Sequence, residues 1–560
     1  MPRLTNPMRS FLLAAALTLL FAGTHAGAQE NRLPDIGSSA GTVLSPARQQ
    51  EYGEMLLAQL RHYELVLEDP LIDSWLRTTG NRLAAASDQP RQSFTFFMMR
   101  DRSINAFATL GGYIGVNVGL VLTAESEDEV AAVLAHEIVH VTQDHVLRSV
   151  ERAQRDTVPT LLAMLGAIAL ASASDSSSSG DAGMAAIASI QGLAIQRQID
   201  YTRSNESEAD RIGMRTLARS GYDVHAMASM FERMQAVSRI NQGSGRERLP
   251  DYLRTHPVTT TRIAEARSRA ERLDSGNSVV ATTSTPDAVL RERVAVPSSS
   301  TAVAPAGRIN NPLLNNPLLP GGLELPALGA GEPDPAVFGW ARERMRVLSA
   351  NTTRQAVSEY EAMARAEPLD AAQRYGLALA RMRAGEAERA ATGFAELLQD
   401  RPGDVWLELG LAESLARAGR HAEADARFES LAMRLPTDRA VALTYAGVLV
   451  ERNTPEAGAR AQSLLRPLMR SSKDDPVFQR TFARVSEIAG DTVRAGEAWA
   501  EAALLSGRAE QALVQLNTLR RREDLDYYAR SRIDARIAAI TPMVLELRRQ
   551  GIRDEDLRRQ

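Results

Sequence analysis

A 34-residue step recurs through the C-terminal half of this 560-residue chain, and it restricts the fold of that half more than any other feature. Pro368, Pro402 and Pro436 keep the step, as do Tyr360, Phe394 and Phe428, and Ala378, Ala412 and Ala446. The pairs Gly376/Gly410 and Gly385/Gly419 share it. A small residue lets two helices approach, a large aromatic plugs the gap to the next pair, and a proline closes each unit. A unit of this length cannot bury its apolar face alone, so neighbouring units must stack. The step from Pro436 to Pro476 is longer, with Asn453 to Gly458 as the insertion. Gly490 to Trp499 then repeats the nine-residue offset of Gly385/Phe394 and Gly419/Phe428. Residues 336–535 are therefore expected to form an α-solenoid of helix pairs, followed by a helical tail over 536–560. Such solenoids bind peptides or proteins on a concave face, so this half predicts a partner and not a reaction.

The period resembles that of tetratricopeptide repeats. The remainder of the chain is long enough for one or two further domains. Residues 45–272 carry helical patterns broken by one strand-like block. Residues 273–335 are rich in Ser, Thr, Pro, Val and Gly and contain the near-repeat Asn310–Leu314 and Asn315–Leu319, a composition expected of an extended linker. The N-terminus reads as an address. Arg3 and Arg9 precede an apolar run from Phe11 to Ala22, and Ala26-Gly27-Ala28 offers small residues for cleavage. Residues 1–28 are thus expected to be a secretory signal peptide, the alternative being an uncleaved membrane anchor. In a Gram-negative cell the mature chain would be periplasmic. The formal net charge of −4 gives no electrostatic argument for nucleic acid. Cysteine is absent, which excludes disulfides, thiolate ligands and a cysteine nucleophile. Any metal must be held by His, Asp or Glu.

The chemistry concentrates at His136-Glu137-Ile138-Val139-His140. Val130, Val133, Leu134, Ile138 and Val141 give the surrounding segment an apolar helical pattern. Two histidines four residues apart project from one helical face, the separation at which both can hold one tetrahedral Zn²⁺. Glu137, beside the first ligand, can reach a metal-held water without occupying the coordination sphere, and so serve as general base. The competing reading is two histidines on a solvated face. The apolar flanks oppose it, because buried polar side chains need partners.

A third ligand must come from another element. Asn205-Glu206-Ser207-Glu208-Ala209-Asp210 opens a helical stretch, and Glu206 and Asp210 share a face. One of the pair can bind metal while the other accepts a hydrogen bond from a ligand histidine. By helical phase Glu208 points elsewhere.

His136-Glu137-x-x-His140 followed by Glu206-x-x-Ala209-Asp210 resembles the HtpX-like and CAAX-prenyl-protease-like zinc metallopeptidases. The resemblance implies a mainly α, gluzincin-type domain with a small β-sheet, one Zn²⁺ per chain, and Glu206 as the third ligand beside His136 and His140. Asn105-Ala106-Phe107-Ala108-x-x-Gly111-Gly112-Tyr113-Ile114 resembles the family's edge-strand block, which implies substrate contacts at Asn105, Gly112 and Tyr113. His256-Pro257 with Arg262 resembles its His-Pro…Arg element near the site. Glu137, Asp210 and His256 are then the catalytic candidates, and Arg262 a substrate-binding one. Most members are membrane-embedded, whereas the only other apolar run here, Val158–Ala171, is too short for a comfortable span. A helical hairpin with a serine-rich tip, lying over the cleft, is expected instead.

A signal peptide, this core and C-terminal repeats together resemble periplasmic proteases of outer-membrane protein assembly. That implies misfolded or stalled outer-membrane proteins as substrates and the barrel-assembly machinery as partner of the repeats. It also implies that His256 can take the fourth ligand position and hold the enzyme latent. The alternatives are a chaperone or assembly adaptor with little proteolysis, and a membrane-anchored quality-control protease.

Overall fold

The computed structural model describes residues 44–149, 151–152, 202–243, 252–253, 256–282 and 334–549. The expected signal peptide, the Val158–Ala171 hairpin, the duplicated Asn-Asn-Pro-Leu-Leu, and residues 550–560 lie outside them. Among the described residues no helix is long and apolar enough to cross a membrane.

The N-terminal domain sets helices around a three-stranded sheet. Helices α1 (Pro46–His62) and α2 (Pro70–Ala85) precede β1 (Thr95–Met99), β2 (Ala106–Thr109) and β3 (Tyr113–Asn117). The strand order is β1-β3-β2, with β1 parallel and β2 antiparallel to β3. The β2–β3 turn needs its glycines. Gly111 and Gly112 have φ of 76° and 81°, and a Cβ on Gly112 would lie 2.2 Å from the Ser93 carbonyl oxygen. The outer side of β1 is covered by residues 65–67 through an isolated bridge, Val66 to Met99. The outer edge of β2 has no strand beside it among the described residues.

After the short helix α3 (Val118–Thr123) comes α4 (Glu127–Thr142), the axis of the domain. Ser126 caps it by accepting from the Glu129 amide, and Glu127, Asp128 and Glu129 place negative charge at its positive end. It is buried on all faces from Glu129 to His140, packed by α2, β2 and α6 (Ala226–Gly243). Helix α5, residues 202–219, and α7 (Thr260–Thr282) complete the domain. Helix α7 continues to Thr282, into residues expected as linker.

Residues 335–549 are helices packed in series. The first seven are α8 (Pro335–Leu348), α9 (Thr353–Ala366), α10 (Ala371–Arg383), α11 (Ala387–Asp400), α12 (Val405–Arg417), α13 (His421–Arg434) and α14 (Arg439–Arg452). They continue through α15 (Pro455–Leu465), α16 (Pro476–Ile488), α17 (Thr492–Leu505) and α18 (Ala509–Arg520) to α19 (Tyr527–Arg549), which runs unbroken across residue 535. The 34-residue step has a visible cause. Gly376 seats the ring of Tyr360, and Gly410 that of Phe394: a Cβ would fall 2.1 Å from the Tyr360 hydroxyl and 2.6 Å from Phe394 Cε1. Pro368, Pro402 and Pro436 each follow a helix end, and Asp370, Asp404 and Asp438 cap the next helix. Tyr360 is fully buried and cannot swing away. Gly376→Ala is therefore expected to destabilise the repeats by about 1–3 kcal/mol through overpacking, read as a lower urea midpoint.

The two halves share one core, a junction that the sequence leaves hidden. Asp69, the cap of α2, receives both guanidinium arms of Arg344 from α8 at 2.8 and 2.7 Å. Arg480 pairs with Glu68, and Arg439 lies 3.4 Å from Asp73. Arg102 donates to the Arg346 carbonyl at 2.6 Å and to Ser349 Oγ at 2.9 Å. Trp75 of α2 meets Phe338 of α8, ring centres 6.2 Å apart, and its indole N–H donates to Glu127 at 2.9 Å.

Candidate active site

Helix α4 projects His136 and His140 to one side. Helix α5 crosses it closely because Gly213 is small: a Cβ there would come within 3.3 Å of the His136 amide nitrogen. The crossing brings Glu206 and Asp210, one turn apart, onto the histidine face. His256 enters from the segment before α7, its amide bonded to the Tyr252 carbonyl at 2.7 Å and its ring stacked on Tyr252. All of these side chains are buried, and His136 and Glu137 have no exposed surface.

The ring nitrogens and carboxylate oxygens converge. His140 Nε2 is 3.0 Å from His136 Nε2, which is 3.3 Å from Glu206 Oε2 and 3.3 Å from His256 Nδ1. His140 Nε2 lies 3.5 Å from Glu206 Oε1, and His256 Nδ1 2.8 Å from the same oxygen. Two donors bound at about 2.0–2.1 Å to a tetrahedral ion stand roughly 3.3 Å apart. The separations of His136, His140 and Glu206 fit that figure. One atom from each of these residues and His256 lies within 4.8 Å of the others, so the group can hold a metal ion.

The charges agree. Burial opposes a charged His136, yet the Glu206 carboxylate and the hydrogen bond to Asp210 push it up to about 10. Burial, reinforced by the charge of His136, drives His140 well below its ordinary value. Burial disfavours ionised Glu206, but the charge of His136 and hydrogen bonds from His136 and His256 hold its carboxyl well below the usual range. The pocket thus draws positive charge onto His136 and keeps it from His140, a demand that a central cation would meet.

The remaining candidates take distinct places. Asp210 Oδ1 is 2.9 Å from His136 Nδ1, so the other ring nitrogen faces the cluster. Both carboxylate oxygens of Glu137 are buried without a hydrogen-bond donor among the described residues, 3.8 Å from His256 Nε2 at the nearest salt-bridge distance. Arg262 turns into the site's acids, 2.7 and 2.8 Å from the two oxygens of Asp210 and 2.8 Å from Glu206, with the Phe231 ring beneath its guanidinium. Asn105 precedes β2, and its buried Oδ1 has no donor among the described residues. Gly112 sits against Ser93, and the Tyr113 hydroxyl accepts from Gln50 at 2.9 Å.

Two residues beside the cluster escaped the sequence reading. His145 Nδ1 is 3.0 Å from His140 Nδ1, and His145 Nε2 is 3.2 Å from Glu208 Oε2. Helical phase carries Glu208 away from Glu206 but toward this histidine. His145 lies five positions after His140, so an unbroken helix would not stack them. Asp144, at φ 53°, breaks the helix and folds His145 back.

Residues 70–270 match peptidase family M48. The chain is 29% identical over 525 residues to the beta-barrel assembly-enhancing protease of Escherichia coli (strain K12), a match covering 94% of each chain. It is 29% identical over 508 residues, 91% of each chain, to the protein of that name from Yersinia pestis. A Vibrio cholerae relative, provisionally given the same name, is 41% identical over 240 residues, 43% of this chain and about half of its own length (48%). Residues 70–270, the part of the chain similar to peptidase family M48, thus hold a buried group that can ligate a metal beside Glu137, whose carboxylate oxygens have no hydrogen-bond partner among the described residues.

Proposed function

We propose that this chain is a periplasmic zinc endopeptidase that degrades misfolded or stalled outer-membrane proteins. The observation that carries the reading is the convergence of His136, His140 and Glu206 beside a buried Glu137 whose carboxylate oxygens have no hydrogen-bond partner among the described residues. The substrate class and compartment follow the relatives named for beta-barrel assembly. Imidazole and carboxylate donors without cysteine favour zinc.

His136 and His140 would present Nε2, and Glu206 a carboxylate oxygen. Bound there, Zn²⁺ would supply Lewis acidity and bring the ionisation of water to about neutral pH. Glu137 takes the proton of the attacking water as its oxygen adds to the scissile carbonyl carbon. As the carbon–nitrogen bond breaks, Glu137 gives that proton to the leaving amine. Asp210 fixes the His136 ring, and Arg262 balances Asp210 and Glu206, a positioning role in place of substrate contact. The edge of β2, which has no strand beside it among the described residues, suits pairing with an extended client backbone. Gly112 and Tyr113 then hold the strand and not the client.

Metal analysis tests the ligand set. His136→Ala and Glu206→Ala are expected to purify without the one zinc per chain that wild type carries. Stoichiometric metal in Glu206→Ala would remove it from the set.

The complete burial of Glu137, with His256 leaning on Glu206, favours a latent state in which His256 takes the fourth ligand position. His256→Ala is expected to raise hydrolysis of an unfolded outer-membrane protein several-fold, read by gel densitometry. Unchanged or slower cleavage would assign His256 to the reaction itself. The helix pairs after residue 335 are read as a tetratricopeptide solenoid, joined by a linker within 273–335, that meets the barrel-assembly machinery. An assembly adaptor with little proteolysis is the competing function. It gains if a hydrolysis-dead Glu137→Gln protein restores outer-membrane assembly as well as wild type does.

A further inference from the structure

The geometry points to a hydrogen-bond relay, Glu208 to His145 to His140, that fixes the tautomer and orientation of the second histidine ligand. The inference rests on the metal-site reading above and deepens it. His140 turns Nε2 toward His136 and Glu206, so its Nδ1 faces out of the cluster, 3.0 Å from His145 Nδ1. Two imidazole nitrogens at that distance bond only if one carries the proton and the other a lone pair.

Lone-pair donation from His140 Nε2 requires the proton on its Nδ1. His145 Nδ1 must then accept, which leaves the His145 proton on Nε2. That nitrogen lies 3.2 Å from Glu208 Oε2, a carboxylate that only accepts. Each bond dictates the direction of the next, and the chain ends on the one arrangement that aims a lone pair inward. His136 reaches the same state in one step, through Asp210 Oδ1 at 2.9 Å. The two ligands of one helix are thus oriented in parallel, one by a carboxylate and one by a carboxylate acting through a second imidazole.

Placement supports the relay. His145 is 2% exposed, and its ring meets that of His140 edge-on at 4.9 Å. Asp144, in the left-handed region, makes the approach possible. Glu208 is partly exposed and also lies 3.8 Å from Arg211. His145 is therefore a positioning residue: it touches a ligand and not the reacting atoms.

The test is Zn²⁺ affinity of the metal-stripped full chain, by competition with a chromophoric chelator, together with the visible absorption of the Co²⁺-loaded protein. Far-ultraviolet circular dichroism and thermal melting establish folding of each variant. His145→Leu cannot accept from His140 and is expected to bind Zn²⁺ about 10–100-fold more weakly, with altered Co²⁺ bands. His145→Gln offers an amide oxygen in the same direction and should recover most of the affinity and the wild-type bands. Glu208→Leu, at the accessible end, should weaken binding less than His145→Leu, while Glu208→Gln still accepts and stays near wild type. Folded His145→Leu within twofold of wild type overturns the relay. So does failure of His145→Gln to restore a weakened site. If His145→Leu does not fold, Glu208→Leu decides, and wild-type affinity and bands there overturn the relay. Wild type that takes up no Zn²⁺ overturns the metal-site reading itself.

Discussion

Glu137→Gln is expected to bind one Zn²⁺ per chain and to hydrolyse peptide bonds roughly 10²–10⁴-fold more slowly than wild type, the usual contribution of a positioned general base. The amide keeps the size and dipole of the side chain but cannot take a proton from water. Glu137 lies on the ligand helix yet contributes no atom to the metal-ligating group, so metal content should be unaffected. Its oxygens have no donor among the described residues, so the substitution breaks no existing hydrogen bond. The melting temperature should therefore change little, the ionic contact at stake being the 3.8 Å approach to His256 Nε2. Cleavage of an unfolded client and metal content, measured on one preparation, check both statements. Hydrolysis at the wild-type rate would take the proton transfer away from Glu137.

The second large effect is on the junction. Arg344→Met is expected to cost about 3–5 kcal/mol of stability, the range for breaking a buried ion pair from one side. Arg344 holds both oxygens of Asp69, and both side chains are nearly enclosed. Asp69 keeps its cap contacts to the Leu71 and Ile72 amides at 3.2 Å, which places the loss at the lower end of that range. Adding Asp69→Asn, which preserves an oxygen for the cap and removes the stranded charge, should recover part of the loss. Urea unfolding of the two single variants and the double variant gives the coupling between the residues. Additive losses would mean that the pair does not bind the halves together.

The parts legible in the sequence are those with a local period. His136 and His140, four residues apart on an apolar helix, announce one shared face, and Glu206 and Asp210 do the same on α5. The repeat positions are legible because Gly376 and Gly410 must admit the rings of Tyr360 and Phe394. The junction has no such signature. Asp69 reads as an ordinary helix cap and Arg344 as a solvated arginine until the chain folds them together across 275 residues. The sequence context of Arg262 places it near the site without giving its direction, and the structure turns it onto Asp210 and Glu206. His145 was hidden because helical phase is the wrong rule past Asp144, where the backbone reverses.

Trp75 has a mechanical meaning. Its indole meets Phe338 of α8 at a tilt, and its N–H holds Glu127, the first residue of the helix that bears His136. Thr79 and Tyr222 grip the same carboxylate at 3.3 and 2.8 Å. A displacement of α8 can therefore reach the metal-ligating helix along a path that includes this aromatic contact and this carboxylate. The helices after residue 335 are in this sense mechanically continuous with the helix that bears His136 and His140.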